Sequence, residues 1–185
     1  MWVTSDLWDE ATGTATFEWL DWSGNRLSVK TPASVQCTVG AINSTKVLQT
    51  NTENILNGFD TTNAVLRMQV QATGQRPNSN SKETFRHEHY WSAVPLNKAQ
   101  LVDPGLQLSY SKANECFKVS ATTGVAAWVW LDYPDGAVVS FDSNAFWLAP
   151  GEARQVTYKV KNDTTNGTWI DGVTVQSMWN QTLPY

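Results

Sequence analysis

His87 and His89 are the residues whose spacing most directly suggests chemistry in this chain. One residue separates them in an alternating segment, so their imidazoles share one face of a strand and could supply half of a metal site. A structural or catalytic metal needs further side-chain ligands, and the neighbouring sequence suggests none. We therefore expect ordinary surface or interface histidines, and we predict no metal or cofactor site.

Carboxylates are the next candidates, because paired carboxylates can act as acid, base or nucleophile in hydrolysis. Asp132 and Asp135 flank a turn cluster in which aspartate is favoured for its backbone hydrogen bonds. Asp103 precedes one Pro-Gly pair, and Glu152 follows another. No glycine-rich phosphate loop, zinc-ligand spacing or G-x-S-x-G elbow occurs. The sequence therefore indicates turn residues, and it names no catalytic pair.

Tryptophans are the remaining candidates, with ten in 185 residues. Trp128 and Trp130 alternate with Val129 and Leu131, which predicts two large rings on the face opposite the apolar one. Such a pair could stack on sugar rings, as in a carbohydrate-binding module, or could be covered by a neighbouring domain. Aromatic side chains are enriched in buried interfaces, so we favour the domain interface and keep the sugar platform as the alternative.

Strands are the elements that must position these residues. Leu66, Met68 and Val70 alternate with polar residues, which is typical of a strand with one dry and one wet face. Residues 142–160 predict a strand, a Pro-Gly turn and a second strand, paired as a hairpin. Immunoglobulin-like sandwiches take about 100 residues each. We predict an all-β chain of two consecutive antiparallel immunoglobulin-like β-sandwiches, at residues 1–97 and 98–185.

Composition excludes several classes of partner. Only 16% of residues are charged and the net charge is -4, so the sequence shows no electrostatic footprint for nucleic acid or an anionic membrane. The sequence has no stretch of about 18 apolar residues, so it predicts no membrane-spanning helix. The first ten residues lack the basic and apolar regions of a secretory signal. They begin like the inside of a strand, so we expect a piece of a longer polypeptide.

The two cysteines, Cys37 and Cys116, are predicted not to pair with each other. Cys37 alternates in step with valines and is expected to point into a core. Cys116 alternates with Lys118 and Ser120 and is expected to point outward. An inward sulfur in one domain and an outward sulfur in the next rarely meet the separation that a disulfide requires.

Four N-x-S/T sequons could carry N-linked glycans in a secreted protein. They are Asn43, Asn162, Asn166 and Asn180. The asparagine, serine and threonine content alone produces roughly 2.6 such sequons by chance, so their number favours secretion only weakly. We nevertheless expect an extracellular glycoprotein.

Four stretches of the sequence carry a family resemblance when they are taken in order. They are WVTSDLWDEATGTATFEWLDWSGNRL at 2–27, HYWSAVPLNKAQ at 89–100, AAWVWLD at 126–132 and VSFDSNAFWLAPG at 139–151. Together they resemble the two C-terminal immunoglobulin-like domains of beta-mannosidases of glycoside hydrolase family 2. The last stretch resembles the family's Asp-Asn-x-Phe-x-Leu-x-Pro-Gly turn, with the Asp-Asn pair split here as Asp142-Ser143-Asn144.

The resemblance implies a fragment of a retaining enzyme that removes terminal beta-linked mannose from manno-oligosaccharides. In that family two glutamates on a (β/α)8 barrel are the acid/base and the nucleophile, and neither maps onto this chain. The barrel and the N-terminal domains would then lie in the same polypeptide, or on a separate chain after cleavage. The implied role of this chain is to pack against them and stabilise them. A related exo-glucosaminidase parent would look much the same.

Overall fold

The computed structural model describes residues 1–183, which form two compact units. The first unit comprises Met1–Asp21 and Arg26–Pro95, and the second comprises Trp22–Asn25 and the chain from Leu96 onward. All strand pairs within the named sheets are antiparallel, and the predicted all-β, immunoglobulin-like fold class is confirmed. Within residues 1–183, no helix has the length and apolar content needed to cross a membrane.

The first unit contains six strands and little helix. The strands are β1 Trp2–Ser5, β2 Ala11–Leu20, β3 Ser34–Val39, β4 Asn43–Lys46, β5 Val65–Gln75 and β6 Lys82–Ser92. One helical turn, α1 Thr52–Ile55, and one 3-10 turn, Thr61–Asn63, connect β4 to β5. The larger sheet has the order β3-β2-β5-β6, and β1 pairs with β4 in a separate two-stranded sheet.

The core of the first unit forms on one face of β2, because its apolar side chains alternate. Phe17 and Trp19 are both buried, and the register places Trp19 directly opposite Leu66 of β5. The helix α1 begins where the side chain of Asn51 accepts a hydrogen bond of 2.9 Å from the Glu53 amide, a standard N-cap arrangement. Its last turn contributes Ile55 to the cluster around Trp19.

The opposite face of the same sheet is polar around Arg67 and Gln69, as the alternation predicts. Arg67 Nε donates a hydrogen bond of 2.7 Å to the Glu88 carboxylate on the neighbouring strand β6. Gln69 Nε2 donates to the same oxygen at 2.7 Å. Polar side chains thus occupy the face predicted to be wet, and Leu66, Met68 and Val70 on the other face are half-buried.

The second unit is a sandwich of two sheets. Its strands are β7 Gln107–Ser111, β8 Cys116–Ser120, β9 Ala126–Asp132, β10 Ala137–Phe141, β11 Phe146–Leu148, β12 Ala153–Asp163 and β13 Thr174–Gln176. Short 3-10 helices cover Leu96–Lys98, Thr168–Gly172 and Met178–Thr182. One sheet has the order β10-β12-β8-β7 and the other has the order β11-β9-β13.

Aromatic rings fill the core between these two sheets. Phe117 of β8 is buried at the centre, with ring centroids 5.1 Å from Tyr110, 5.7 Å from Tyr158, 6.0 Å from Phe141 and 6.2 Å from Trp169. The rings are tilted or edge-on, as aromatic quadrupoles favour. A single phenylalanine therefore joins packing contributed by several parts of the second unit.

The predicted hairpin over residues 142–160 is wrong, although both of its strands exist. Strand β11 pairs with β9, whereas β12 pairs with β10 and β8. The turn at Pro150 and Gly151 therefore carries the chain from one sheet to the other. Gly151 has a φ of 82°, and its amide donates to the Ala121 carbonyl at 2.9 Å. Alternation predicts a strand and its inner face, but it does not identify the partner strand.

Both cysteines are free and buried. Cys37 points into the core as predicted, and burial raises the pKa of its thiol. The outward orientation predicted for Cys116 is wrong, because this residue is buried too. It begins an inner strand and lies opposite Ser111 on one neighbour and Thr157 on the other. Flanking strands on both sides can cover a small side chain even where parity predicts exposure.

Tyr158 should ionise at a higher pH than an ordinary tyrosine. Burial, together with the hydrogen bond of 2.9 Å that joins its hydroxyl to that of Tyr110, raises the pKa of Tyr158 to about 12. The folded-state pKa lies above the ordinary value of 10.0, so the neutral hydroxyl contributes stability that is present below pH 10. That contribution is lost as the pH rises from about 10 to about 12.

An ultraviolet titration of phenolate absorbance measures the pH at which Tyr158 ionises. We expect a late transition that disappears in Tyr158→Phe. A wild-type curve that shows no late transition would contradict the assignment.

Candidate functional site

Trp128 lies at a β-bulge in strand β9. Phe146 of β11 is opposite Val129, but Leu148 is opposite Ala126, so two residues of β9 face a single residue of β11. At the bulge Trp128 has a φ of 53°, in the left-handed region that bulky residues rarely adopt. Bulges redirect side chains, and strained backbone is often retained where a side chain has a task. The geometry therefore singles out Trp128.

Two further tryptophans support the Trp128 ring. The centroid of Trp128 lies 5.8 Å from that of Trp147, with the planes inclined at 59°. Trp147 in turn stacks on Trp22 at 6.1 Å and 25°. Trp22 is completely buried, whereas Trp128 is 41% exposed. We call these three residues the tryptophan row, which leads from the interior of the second unit to its surface.

Trp130, the second predicted residue, has different surroundings. It is half-buried and lies opposite Gln176 of β13, on the side of β9 away from β11. Strand β9 also contacts the 3-10 helix Met178–Thr182. The ring that contacts Trp128 is instead Trp147. The sequence marks Trp147 as outward-facing between Phe146 and Leu148, but it does not reveal that β11 lies beside β9.

The Asp142-Ser143-Asn144 motif performs a structural task. Asn144 Oδ1 accepts a hydrogen bond of 2.7 Å from the Leu131 amide, and its Nδ2 donates to the Leu131 carbonyl at 3.1 Å. The Asp142 carboxylate accepts from the Thr157 amide at 3.1 Å and from the Thr157 hydroxyl at 2.7 Å. The motif therefore ties the connection between β10 and β11 to strands β9 and β12.

The two histidines lie on strand β6 of the first unit. His87 and His89 are exposed on the same face, opposite Val70 and Met68 of β5. Both line a cavity of about 800 Å³ that is bounded mainly by apolar side chains. In the part of the chain that the structure describes, no three His, Cys, Asp or Glu side chains form a group that could hold a metal ion.

The four sequon asparagines differ in their availability. Asn162 and Asn166 are exposed, and Asn166 has a φ of 54° at the tip of the turn after β12. Asn43 is exposed in β4, and its Oδ1 accepts from the next amide at 2.7 Å. Asn180 is partly buried, and its Oδ1 accepts a hydrogen bond of 2.8 Å from the amide of buried Ser177. Asn43, Asn162 and Asn166 are therefore exposed, whereas Asn180 is partly buried in a capping box.

Glycine should be tolerated better than alanine at Trp128. Both substitutions remove the ring, but only glycine adopts a φ of 53° without strain, so Trp128→Gly should exceed Trp128→Ala in stability by about 1 kcal/mol. Trp91 is a matched control because it is also 41% exposed in a strand, with an ordinary φ. There the order should reverse, with Gly below Ala by about 0.5–1 kcal/mol. Urea unfolding of the four variants measures both differences, and the same order at both sites would contradict the strain argument.

Comparison with known proteins places this chain in a family. A family profile described as "Mannosidase Ig/CBM-like domain" matches residues 1–95, about half of the chain. The chain belongs to the mannosidase Ig/CBM-like domain family. A second profile, described as "Ig-fold domain" and also of mannosidases, matches residues 101–181. The resemblance to the C-terminal immunoglobulin-like domains of beta-mannosidases is thereby confirmed.

Individual proteins similar to this chain are also beta-mannosidases. Beta-mannosidase A of Aspergillus flavus is 45% identical over 187 residues, covering 99% of this chain and 20% of the relative. Beta-mannosidase A of Aspergillus niger is 45% identical over 183 residues, covering 98% and 20%. The chain thus spans about a fifth of the length of these relatives, in their C-terminal part.

A solved structure shares the fold of this mannosidase-domain chain. The crystal structure of Beta-D-Mannosidase from Dictyoglomus thermophilum matches with a TM-score of 0.58 and 12% identity, covering 95% of this chain and 20% of that chain. At 12% identity, this match shows a common fold, and it does not show that individual residues have the same roles.

Proposed function

We propose that this chain is the non-catalytic C-terminal portion of a retaining exo-beta-mannosidase, with domains at residues 1–97 and 98–185. The parent hydrolyses terminal beta-D-mannose residues of manno-oligosaccharides on a (β/α)8 barrel, in the same polypeptide or on a separate chain after cleavage. This portion packs against the barrel and the N-terminal domains and stabilises them. The observation that carries the proposal is the 45% identity to Beta-mannosidase A along nearly the whole chain.

The surroundings of the carboxylates support a structural role. Asp103 accepts a hydrogen bond of 2.8 Å from the Gly105 amide, and Asp132 accepts one of 2.9 Å from the next amide. Glu152 accepts one of 3.0 Å from the Ala149 amide. Each carboxylate therefore accepts a hydrogen bond from a backbone amide of its own turn, which is how turns commonly use acidic residues.

Trp128 is our proposed contact with the rest of the parent. Its indole is exposed while the other two rings of the tryptophan row hold it in place, and rigid aromatic side chains anchor interfaces at low entropic cost. The second candidate function is a stand-alone carbohydrate-binding module that uses Trp128 and Trp130, and the same exposed indole favours it. Retention of the isolated chain on insoluble mannan, abolished by Trp128→Ala, would favour that second candidate.

We also propose that the parent is secreted and carries N-linked glycans on this chain. Support comes from the turn after β12, where the Asp163 carboxylate accepts from the Thr165 amide at 2.7 Å and from the Gly167 amide at 2.8 Å. Hydrogen bonds from Thr165 lower the pKa of Asp163. The turn therefore presents Asn166 outward. Enzymatic deglycosylation of secreted protein should reduce its intact mass, and an unchanged mass would contradict this proposal.

The isolated chain should hydrolyse neither an aryl beta-mannoside nor an aryl beta-glucosaminide. The full-length parent, purified in the same way, is the positive control and should hydrolyse the mannoside. Appreciable turnover by the isolated chain would contradict an accessory role. Turnover of the glucosaminide alone by the parent would contradict the mannosidase assignment and leave the accessory role standing.

A further inference from the structure

The chain contains two Asn-Gly pairs, Asn57-Gly58 and Asn166-Gly167. An asparagine side chain before glycine is open to attack by the next backbone nitrogen, because glycine has no side chain to crowd the approach. Both asparagines are exposed. A Cβ added at either glycine would meet no atom within 4 Å, so open space surrounds both peptide groups. Neither local sequence nor crowding therefore distinguishes the two pairs.

Hydrogen bonding distinguishes them, because the backbone amide of Gly58 is unoccupied. Asn57 and Gly58 are the two central residues of a turn, which the Phe59 amide closes by donating to the Leu56 carbonyl at 2.8 Å. Gly58 has a φ of 90°, close to the value that the third residue of a type II turn takes. Within residues 1–183 the Gly58 amide donates to no acceptor. Rotation of this amide toward the Asn57 side chain therefore breaks no hydrogen bond of its own.

The backbone amide of Gly167 is held by a carboxylate. It donates a hydrogen bond of 2.8 Å to Asp163, whose other carboxylate oxygen accepts from the Thr165 amide at 2.7 Å. The bond to Asp163 must break before the Gly167 nitrogen can reach the side chain of Asn166. Hydrogen bonds to ionised groups are stronger than those between neutral groups. We therefore expect the second pair to react more slowly by about ten-fold or more.

We propose that Asn57 is a site of spontaneous deamidation and that Asn166 is protected from it. The Gly58 nitrogen attacks Cγ of Asn57, so that a new N–Cγ bond forms and the Cγ–Nδ2 bond breaks. The proton of the Gly58 amide leaves with the side-chain nitrogen as ammonia. One water molecule then opens the cyclic imide at either carbonyl, which leaves aspartate or isoaspartate without any oxidation or reduction. This chemistry does not depend on what the parent enzyme hydrolyses.

The isoaspartate product should disturb the core of the first unit. In isoaspartate the main chain runs through the side-chain carbon, so the chain gains one atom just before Gly58. The hydrogen bond between Phe59 and Leu56 that closes the turn then loses its geometry. Leu56 and Ile55 are buried in the cluster around Trp19. We therefore expect deamidation to lower the unfolding temperature of the first unit.

Peptide mapping by mass spectrometry, after incubation at mildly alkaline pH, measures both reactions in one sample. The full-length parent is made in a host that adds no N-linked glycans, because a glycan on Asn166 would itself block the reaction there. In the folded protein we expect Asn57 to convert about ten-fold or more faster than Asn166. In the same protein unfolded in urea, the two rates should be similar. Asp163→Ala should raise the rate at Asn166 in the folded protein, because it releases the Gly167 amide.

Asn57→Gln isolates the effect of the reaction on stability. Glutamine keeps the amide, but its longer side chain forms a cyclic imide far more slowly. After the same incubation the wild-type protein should unfold at a lower temperature than fresh protein, whereas Asn57→Gln should not change.

Four outcomes would overturn the proposal. The first is no conversion of Asn57 in the folded protein, and the second is equal folded-state rates at Asn57 and Asn166. The third is an unchanged rate at Asn166 in Asp163→Ala. The fourth is an equal fall in unfolding temperature for wild type and Asn57→Gln, which would remove the link between this reaction and the core.

Discussion

Replacing Phe117 with alanine is expected to lower the free energy of unfolding of the second unit by about 3–5 kcal/mol. The ring is buried and lies within 6.2 Å, centroid to centroid, of four other aromatic rings, so its removal leaves a cavity that rigid neighbours cannot fill. The loss combines the transfer free energy of the ring with the cost of that cavity. Urea unfolding followed by circular dichroism measures the difference.

Phe59→Ala is the matched control for Phe117→Ala. Phe59 is 36% exposed, so the same substitution removes a ring that is already partly hydrated and leaves no closed cavity. We expect the control to change stability by less than about 1 kcal/mol. Equal losses in the two variants would contradict the central position assigned to Phe117.

Gly13→Ala should destabilise the first unit by about 1–3 kcal/mol or more. An ideal Cβ at this position would lie 2.1 Å from the Gln71 carbonyl oxygen and 2.5 Å from the Ala72 Cα. Both atoms belong to the backbone of the adjacent strand β5, so no side-chain rotation relieves the clash. The sheet must shift between β2 and β5, the two central strands of the larger sheet. Thermal unfolding monitored by tryptophan fluorescence measures the effect.

Gly40→Ala provides the contrast for Gly13→Ala. The nearest atom to a Cβ at Gly40 is the Asn43 side-chain nitrogen at 3.5 Å, an ordinary van der Waals contact, and the backbone is not left-handed. Alanine there restricts the unfolded chain without straining the folded one, so stability should stay unchanged or rise by about 0.4–1 kcal/mol. A larger loss at Gly40 than at Gly13 would contradict the close approach of β2 and β5.

The sequence was sufficient to predict strands and their inner faces, because burial of one sheet face imposes alternation. Val129 and Leu131 are buried as the pattern around Trp128 predicts, and Phe117 is buried as well. Pairing was not predictable in the same way. The pattern over residues 142–160 is the same whether its strands pair together or lie in different sheets. Cys116 shows a second limit of the sequence pattern. Its alternation with polar residues predicts an exposed side chain, but it is buried on an inner strand.

The candidate site was predictable only in part. The alternation identified Trp128 as outward, but a left-handed backbone at a tryptophan contradicts local preference, and tertiary packing imposes it. Trp147 became its neighbour through the pairing of β9 with β11. Such sites depend on long-range pairing, which periodicity does not encode.

The thermal stability of the parent enzyme without this portion tests the central claim most directly. A full-length beta-mannosidase parent and a variant lacking the 185 residues are compared by thermal unfolding and by residual hydrolysis of an aryl beta-mannoside after heating. We predict that the shortened enzyme keeps its catalytic groups but unfolds at a lower temperature and loses activity sooner. Unchanged unfolding temperature and unchanged residual activity would contradict a stabilising role for this chain.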